Sequence, residues 1–264
     1  GVAHNQLFTA EVENITGMAD IASSSFDSTL LEYVDDGGFW ALLELLPCSL
    51  LVSREYEHFV VALDGVSSGA WQSPLPIPHP SGCFYDEVNK DLIVSSTRTP
   101  NIIMWYSLQD KNIFCNEIVP LEMDKIADHL FLPRKAIYLP GSLYIHDLVK
   151  INNDIFATIT GHNFVARLNE GGGWDRVWSP NVIKSQVCDD DKYRQNFLQL
   201  NSMAVGSRGL DNSFYTGFSD KVSGIKPWKE GYGPQGKGVV FSGETGEVIY
   251  KGLTCPHSAK LHNG

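Results

Sequence analysis

The chain has 264 residues, 43% of them hydrophobic and 11% aromatic, which supplies apolar material for a substantial core in one large domain or two small ones. Its 31 Asp and Glu against 20 Lys and Arg leave a net charge of -11, and no cluster of basic residues interrupts that field. Phosphate backbones and anionic lipid are repelled by such a surface, so neither nucleic acid nor membrane is expected as a partner.

Five cysteines, Cys48, Cys83, Cys115, Cys188 and Cys255, are widely spaced, odd in number and form no C-x-x-C pair, so a reducing, cytoplasmic setting is expected. No apolar run reaches the length of about eighteen residues that a membrane helix needs, and the amino terminus lacks the basic-then-apolar pattern of a signal peptide. Residues 1–38 are polar, rich in Ser, Asp and Glu, and close on the turn Asp35-Asp36-Gly37-Gly38; they form a polar N-terminal segment available to close a ring. The sequon at Asn14-Ile15-Thr16 is read as chance. From Phe39 the composition changes. FWALLELL suits a turn of helix, whereas SLLVS and HFVVALDG are strand-length and partly β-branched. The Pro-rich stretch 73–82 breaks the sheet, CFYDEVNKDLIVSST forms a hairpin through Asn89-Lys90, and NIIMWYSL adds a strand. Residues 117–136 suggest a short helical insertion, with Leu121, Ile126, Leu130 and Phe131 at helix-like spacing and His129 on its surface.

Aligning the hairpins shows a repeat. Units open at Ser81-Gly82, His146-Asp147, Asn201-Ser202 and His257-Ser258, about 55 to 66 residues apart, and each runs through a strand, a turn and a second strand. Third and fourth strands follow, as at Asn163–Leu168 and at Gly238–Phe241 with Val248–Tyr250. Four strands repeated in this way predict an all-β chain folded as a β-propeller, of six or seven blades when complete. Residues 39–264 hold the blades. The chain stops at Leu261-His262-Asn263-Gly264, where another strand should begin, so truncation at the C-terminus is expected.

The segments YIHDLVKINNDIFAT and GLTCPHSAKLHNG resemble a family of bacterial conserved hypothetical proteins marked by Y-I-H-D-L and G-L-(S/T)-x-P-H-S-x-x-x-H-x-G. The resemblance extends over roughly residues 45–264, through Leu200-Asn201-Ser202 and the loop around Trp228-Lys229-Glu230. It implies a propeller and carries no activity. In family members the P-H-S segment continues into an L-W-V-L-(D/N)-S-G-T-G-E strand, which this sequence lacks.

In a propeller, residues opening the innermost strands converge on the axis. His146, Asp147, Asn201 and His257 hold that position, so they predict a polar funnel for a small-molecule ligand. His146, His257 and Asp147 are the candidate catalytic residues, with Asn201 as orienting ligand group. A divalent metal ion held by His146 and His257 is the candidate cofactor. Further candidate ligand contacts are His162 beyond the second strand of the same hairpin and His79 between its prolines. Arg98, whose guanidinium offers a fork to carboxylates, and Trp228 and Lys229 in the long loop 219–237 complete the set. The bland alternative for each is a turn residue bonded to nearby backbone. Gly231–Lys237 superficially resembles a phosphate loop, but Gly238 and a strand follow where Ser or Thr and a helix are required. Ser258 beside His257 makes no triad, because adjacent strand residues point oppositely. Two functions compete: metal-assisted hydrolase, lyase or isomerase chemistry in the funnel, and a non-catalytic ligand- or protein-recognition propeller.

Overall fold

A computed structural model describes residues 28–46, 48–66, 69–98, 101–110, 129–186, 195–223 and 235–261. Within them, fifteen strands form four antiparallel sheets in sequence order, and the sheets are the blades of a β-propeller. The first blade is β1 (Leu50–Arg54), β2 (Phe59–Val66) and β3 (Gly69–Pro76). The second is β4 (Pro80–Asp86), β5 (Asp91–Ser96), β6 (Asn101–Asp110) and β7 (His129–Leu139). The third is β8 (Ile145–Ile151), β9 (Asp154–Ile159), β10 (Phe164–Leu168) and β11 (Trp174–Trp178). The fourth is β12 (Leu200–Gly206), β13 (Gly209–Gly217), β14 (Gly238–Ser242) and β15 (Val248–Leu253). Two short helices are peripheral: α1 (Phe39–Leu45), which buries Trp40 and Leu43, and α2 (Asn181–Gln186).

The second and third blades have neighbours on both faces, which is why their middle strands lose the polar alternation of a half-exposed sheet; every residue of β5 is buried. The core is accordingly a series of slabs between blades. Val60, Ile77, Leu92, Val94 and Tyr106 fill the first. Ile93, Ile103, Ile145, Leu148, Ile159 and Phe164 belong to the second, and Val165, Leu200, Met203, Tyr215 and Phe241 to the third.

The helical expectation for residues 117–136 fails where the chain is described. Leu130 and Phe131 lie in β7, which pairs with β6 from Asp110↔His129 to Asn101↔Leu139. That long ladder outweighs a weak helical period, as tertiary pairing commonly does. Residues 111–128 lie outside the described residues.

The backbone repeats more strictly than the side chains. His79, Tyr144, Gln199 and Cys255 all adopt left-handed φ, at 39°, 51°, 48° and 43°. Two residues later come Ser81, His146, Asn201 and His257, so His79 is equivalent to Tyr144 and Gln199 and not to the axial His257. In all three complete blades the register then slips: Pro80↔Ser96 is followed by Cys83↔Val94, Ile145↔Ile159 by Leu148↔Ala157, and Leu200↔Gly217 by Ser202↔Thr216. These are β-bulges, which bend a strand and re-aim its side chains. A hydroxyl on the second strand closes each one. Ser95 Oγ accepts from Gly82 N at 3.1 Å, Thr158 Oγ1 from Asp147 N at 2.9 Å, and Thr216 Oγ1 from Ser202 N at 3.3 Å.

The first blade fits the same frame one strand out of step. His58 (φ 62°) precedes β2 as Asn163 (φ 58°) precedes β10, so β1 to β3 correspond to the second to fourth strands of the other blades.

Inner strands approach most closely at Gly82, where a Cβ would sit 2.8 Å from Asp147 Cα and 2.9 Å from Leu148 N. The Ser95 hydroxyl, also 2.9 Å away, could swing aside, but the backbone atoms could not. Gly82→Ala is therefore expected to lower unfolding stability by about 1–3 kcal/mol in a urea titration; an unchanged midpoint would show that the second and third blades stand farther apart.

Candidate functional site

The candidate residues gather at the end of the propeller where the inner strands begin and the loops from second to third strand turn over. His146 and His257 lie with ring centroids 5.9 Å apart at 76°, close enough to share one small ligand. Each is held from the neighbouring strand: Gln199 Nε2 lies 3.1 Å from His146 Nε2, and Asn201 Nδ2 lies 3.1 Å from His257 Nε2. With the amide nitrogens donating, both Nε2 atoms accept and the proton of each neutral ring sits on Nδ1. His146 Nδ1 is buried and has no hydrogen-bond partner among the described residues. His257, packed edge-on to Phe218 at 5.7 Å, is open to solvent on its other side.

A second imidazole pair lies beside the first. His58 and His79 stand 4.2 Å apart at 81°, His58 Nδ1 accepts from His79 N at 3.3 Å, and both ring nitrogens of His79 are buried without partners among the described residues. Arg98 faces both pairs. Its guanidinium carbon lies 5.7 Å from the centre of the Tyr144 ring, and its Nε is 3.5 Å from Glu55 Oε1, which also accepts from Thr97 Oγ1 at 2.5 Å. Burial holds the His146 imidazole down to about 3, with the charge fields of His257 and Arg98 acting in the same direction. Burial likewise lowers His79 to about 4, helped by His58 and Arg98. His58 and His257 are lowered too, mainly by burial, against the opposing pull of nearby carboxylates.

Asp147, next in sequence to His146, does a different job. Its Oδ1 accepts from Leu148 N at 2.9 Å and its Oδ2 from Met203 N at 3.0 Å, while Lys260 Nζ lies 3.0 and 3.2 Å from the two oxygens. The carboxylate thus ties the third blade to β12 and to the segment after β15. Burial raises its pKa and Lys260 opposes the rise. Ser202 repeats the device one blade on, accepting from Ala259 N at 3.0 Å.

A family model described as a domain of unknown function, DUF4915, matches residues 37–264. The chain belongs to that family. No curated protein matches the DUF4915 chain. Among solved structures, a streptogramin B lyase structure aligns at 14% identity and a TM-score of 0.41, over 79% of this chain and 52% of that one. The DUF4915 chain therefore spans about half the length of that structure.

Of the residues singled out in the DUF4915 sequence, His146, His257, Asn201, His79 and Arg98 come together here. His162 shares the loop level but turns away, its ring 6.0 Å from Phe164. Trp228 and Lys229 lie outside the described residues. Glu55, His58, Tyr144, Gln199 and Phe218 belong to the cluster and carried no sequence signal of their own; the left-handed positions, occupied by Tyr144 and Gln199, were detectable only as a faint fixed offset. The donor set does not fit the expected divalent metal. Among the described residues no three His, Cys, Asp or Glu side chains are placed to hold one, both Nε2 atoms face amides, and the Asp147 oxygens are taken. An open groove of about 390 Å³ lies at the opposite end, between the second and third blades, but its buried carboxylates are already paired, Asp86 with Lys150 and Asp91 with Arg134. Among the described residues no helix is long and apolar enough to cross a membrane, and Cys48, Cys83 and Cys255 are free thiols.

The depressed imidazoles fix the sign of acid sensitivity. In the unfolded chain His146 and His79 titrate near 6.5, and in the fold near 3 and 4, so unfolding takes up protons between those limits. Stability is full above about pH 6.5 and is lost as pH falls, by about 1.4 kcal/mol per pH unit for each such imidazole. Urea titrations from pH 7 to 4.5 should show this slope, and His146→Gln should flatten it; an unaltered slope would place the His146 ring in water. Removing the clasp by Asp147→Ala, which leaves Met203 N and Lys260 Nζ without their acceptor, should cost about 3–5 kcal/mol in the same assay at pH 7.

Proposed function

We propose that this propeller recognises a small polar molecule at its axis, through His146, His257, Asn201 and Gln199 from the third and fourth blades and the segment beyond β15, with His79 and Arg98 from the second. The observation that carries the reading is the buried, unpartnered polar nitrogen of His146, accompanied by two more on His79. Buried polar atoms are normally satisfied, and a cluster of exceptions at the convergence of several blades is what a binding site awaiting its hydrogen-bond partner looks like.

Recognition is favoured over acid–base catalysis. A general base works best with a pKa near the operating pH, and an imidazole held near 3 is a feeble one at neutrality. Asp147 has no spare lone pair to orient a reacting imidazole, since two amides and Lys260 use its oxygens. What the cluster supplies is a fixed set of neutral donors and acceptors beside the Arg98 guanidinium, with one solvent-facing wall at His257.

The test is a thermal-shift screen of polar compounds of metabolite size, anionic, cationic and neutral, at millimolar concentration. Ligands that bind only the folded chain raise its melting temperature. At least one class should do so in the wild-type chain and fail to do so in His146→Ala and His257→Ala. Compounds that stabilise both variants as well as the wild type bind elsewhere, and either that result or a wholly negative screen would defeat the reading.

A further inference from the structure

The charge ledger of the cluster narrows the chemistry of its occupant; the step rests on the binding reading above. Among the described residues Lys260, Arg98, Asp147 and Glu55 lie in or against it, and Glu57, which acts on His58 from outside, is paired with Arg54. Lys260 is spent on Asp147. Glu55 takes the hydroxyl of Thr97 and one edge of Arg98, at Nε. That contact leaves the other edge of the guanidinium, the Nη1/Nη2 fork, without a hydrogen-bond partner among the described residues. The Tyr144 ring beneath the guanidinium steadies its plane. Arg98 is one-third exposed, so the fork is reachable from solvent, while its charge field reaches both His79 and His146.

Those nitrogens are complementary to the same kind of guest. Because Gln199 donates to His146 Nε2, the free His146 Nδ1 is an N–H and seeks an acceptor. A neutral His79 likewise has one N–H, which lies near the Glu55 backbone carbonyl without strict hydrogen-bond geometry. A guanidinium fork and two imidazole N–H groups make a donor-rich wall, and a planar or tetrahedral group of oxygens is the group that matches it. A cationic guest would meet Arg98 head-on, and a neutral polyol would leave the fork's charge without a counter-ion.

We propose that the axial site takes a small oxyanion, carboxylate or phosphate, held in bidentate fashion on the Nη edge of Arg98 and hydrogen-bonded by His146 Nδ1–H and His79. The chain's overall charge of -11 makes this local arrangement selective: the general field repels an anion, and a donor-lined, part-exposed cation holds it.

Isothermal titration at low ionic strength checks the assignment, with inorganic phosphate and malonate as the two oxyanion probes, choline as the cationic probe and glycerol as the neutral one. At least one oxyanion should bind, choline and glycerol should not, and the better oxyanion decides between phosphate and carboxylate. Arg98→Gln should weaken that binding roughly tenfold or more, and Arg98→Lys, which keeps charge and loses the fork, should fall between. Since the Arg98 side chain makes a long, part-exposed contact with Glu55 and a distant one with the Tyr144 ring, Arg98→Gln should keep a melting temperature close to wild type, so a loss of binding is not a loss of fold. If glycerol or choline binds and His146→Ala abolishes it, the oxyanion assignment is wrong and the axial site stands. If oxyanion binding survives both Arg98→Gln and His146→Ala, or if no probe binds, both fall.

Discussion

The propeller depends on how one inner strand is fastened to the next. At each of the three described bulges a residue is extruded from the ladder, and a hydroxyl from the second strand takes up its amide. In the third and fourth blades the side chain at that bulge then reaches the chain that follows, β12 and the segment after β15. Asp147 accepts from Met203 N, and Ser202 accepts from Ala259 N. In the second blade the same place is Gly82, where there is no room for a side chain and backbone meets backbone. The interblade slabs of Ile, Leu, Val and Phe supply the bulk of the burial, but these polar ties set the angle and height at which the blades meet. A buried carboxylate with three partners is a costly way to do this unless every partner is present, which gives the fastening its specificity.

The site follows from that fastening. In an unbroken strand His146 and Asp147 would point to opposite faces, and one of them would be lost in a slab. The bulge lets the first turn to the axis while the second turns to the neighbouring blade. Loops between second and third strands bring Glu55, His58 and Arg98 to the same level, and amides from Gln199 and Asn201 orient the two imidazoles. The result is a packed group of neutral rings beside a single guanidinium, whose Nε edge faces Glu55.

The polar residues that open each unit could be read directly, because a histidine or asparagine between a turn and an apolar run stands out against the strand period. The propeller was legible for the same reason. Three things were not. Leu130 and Phe131 sit at helical spacing, yet a strand partner some twenty residues back in sequence decides their structure. Asp147 looks like an acid or base until its amide partner is known, and that partner lies 56 residues on, in another blade. His162 belongs to the same hairpin as His146, but a loop ending in a left-handed Asn163 directs it toward Phe164. In each case the deciding contact is non-local, and no period in the local sequence encodes it.

The alternation at the bulge has a consequence for how such a ring changes over time. His146, Asn201 and His257 turn to the site and take little part in closing the bulge, whereas Gly82, Asp147 and Ser202 carry the contacts between blades; in the second blade Ser81 shares that load, its Oγ donating to His146 O. Adjacent codons therefore answer to separate demands. The first of each pair is free to drift with whatever the ring is asked to hold, and the second is pinned by the neighbour it touches, so a new specificity can arise by single substitutions that leave the architecture's own constraints untouched.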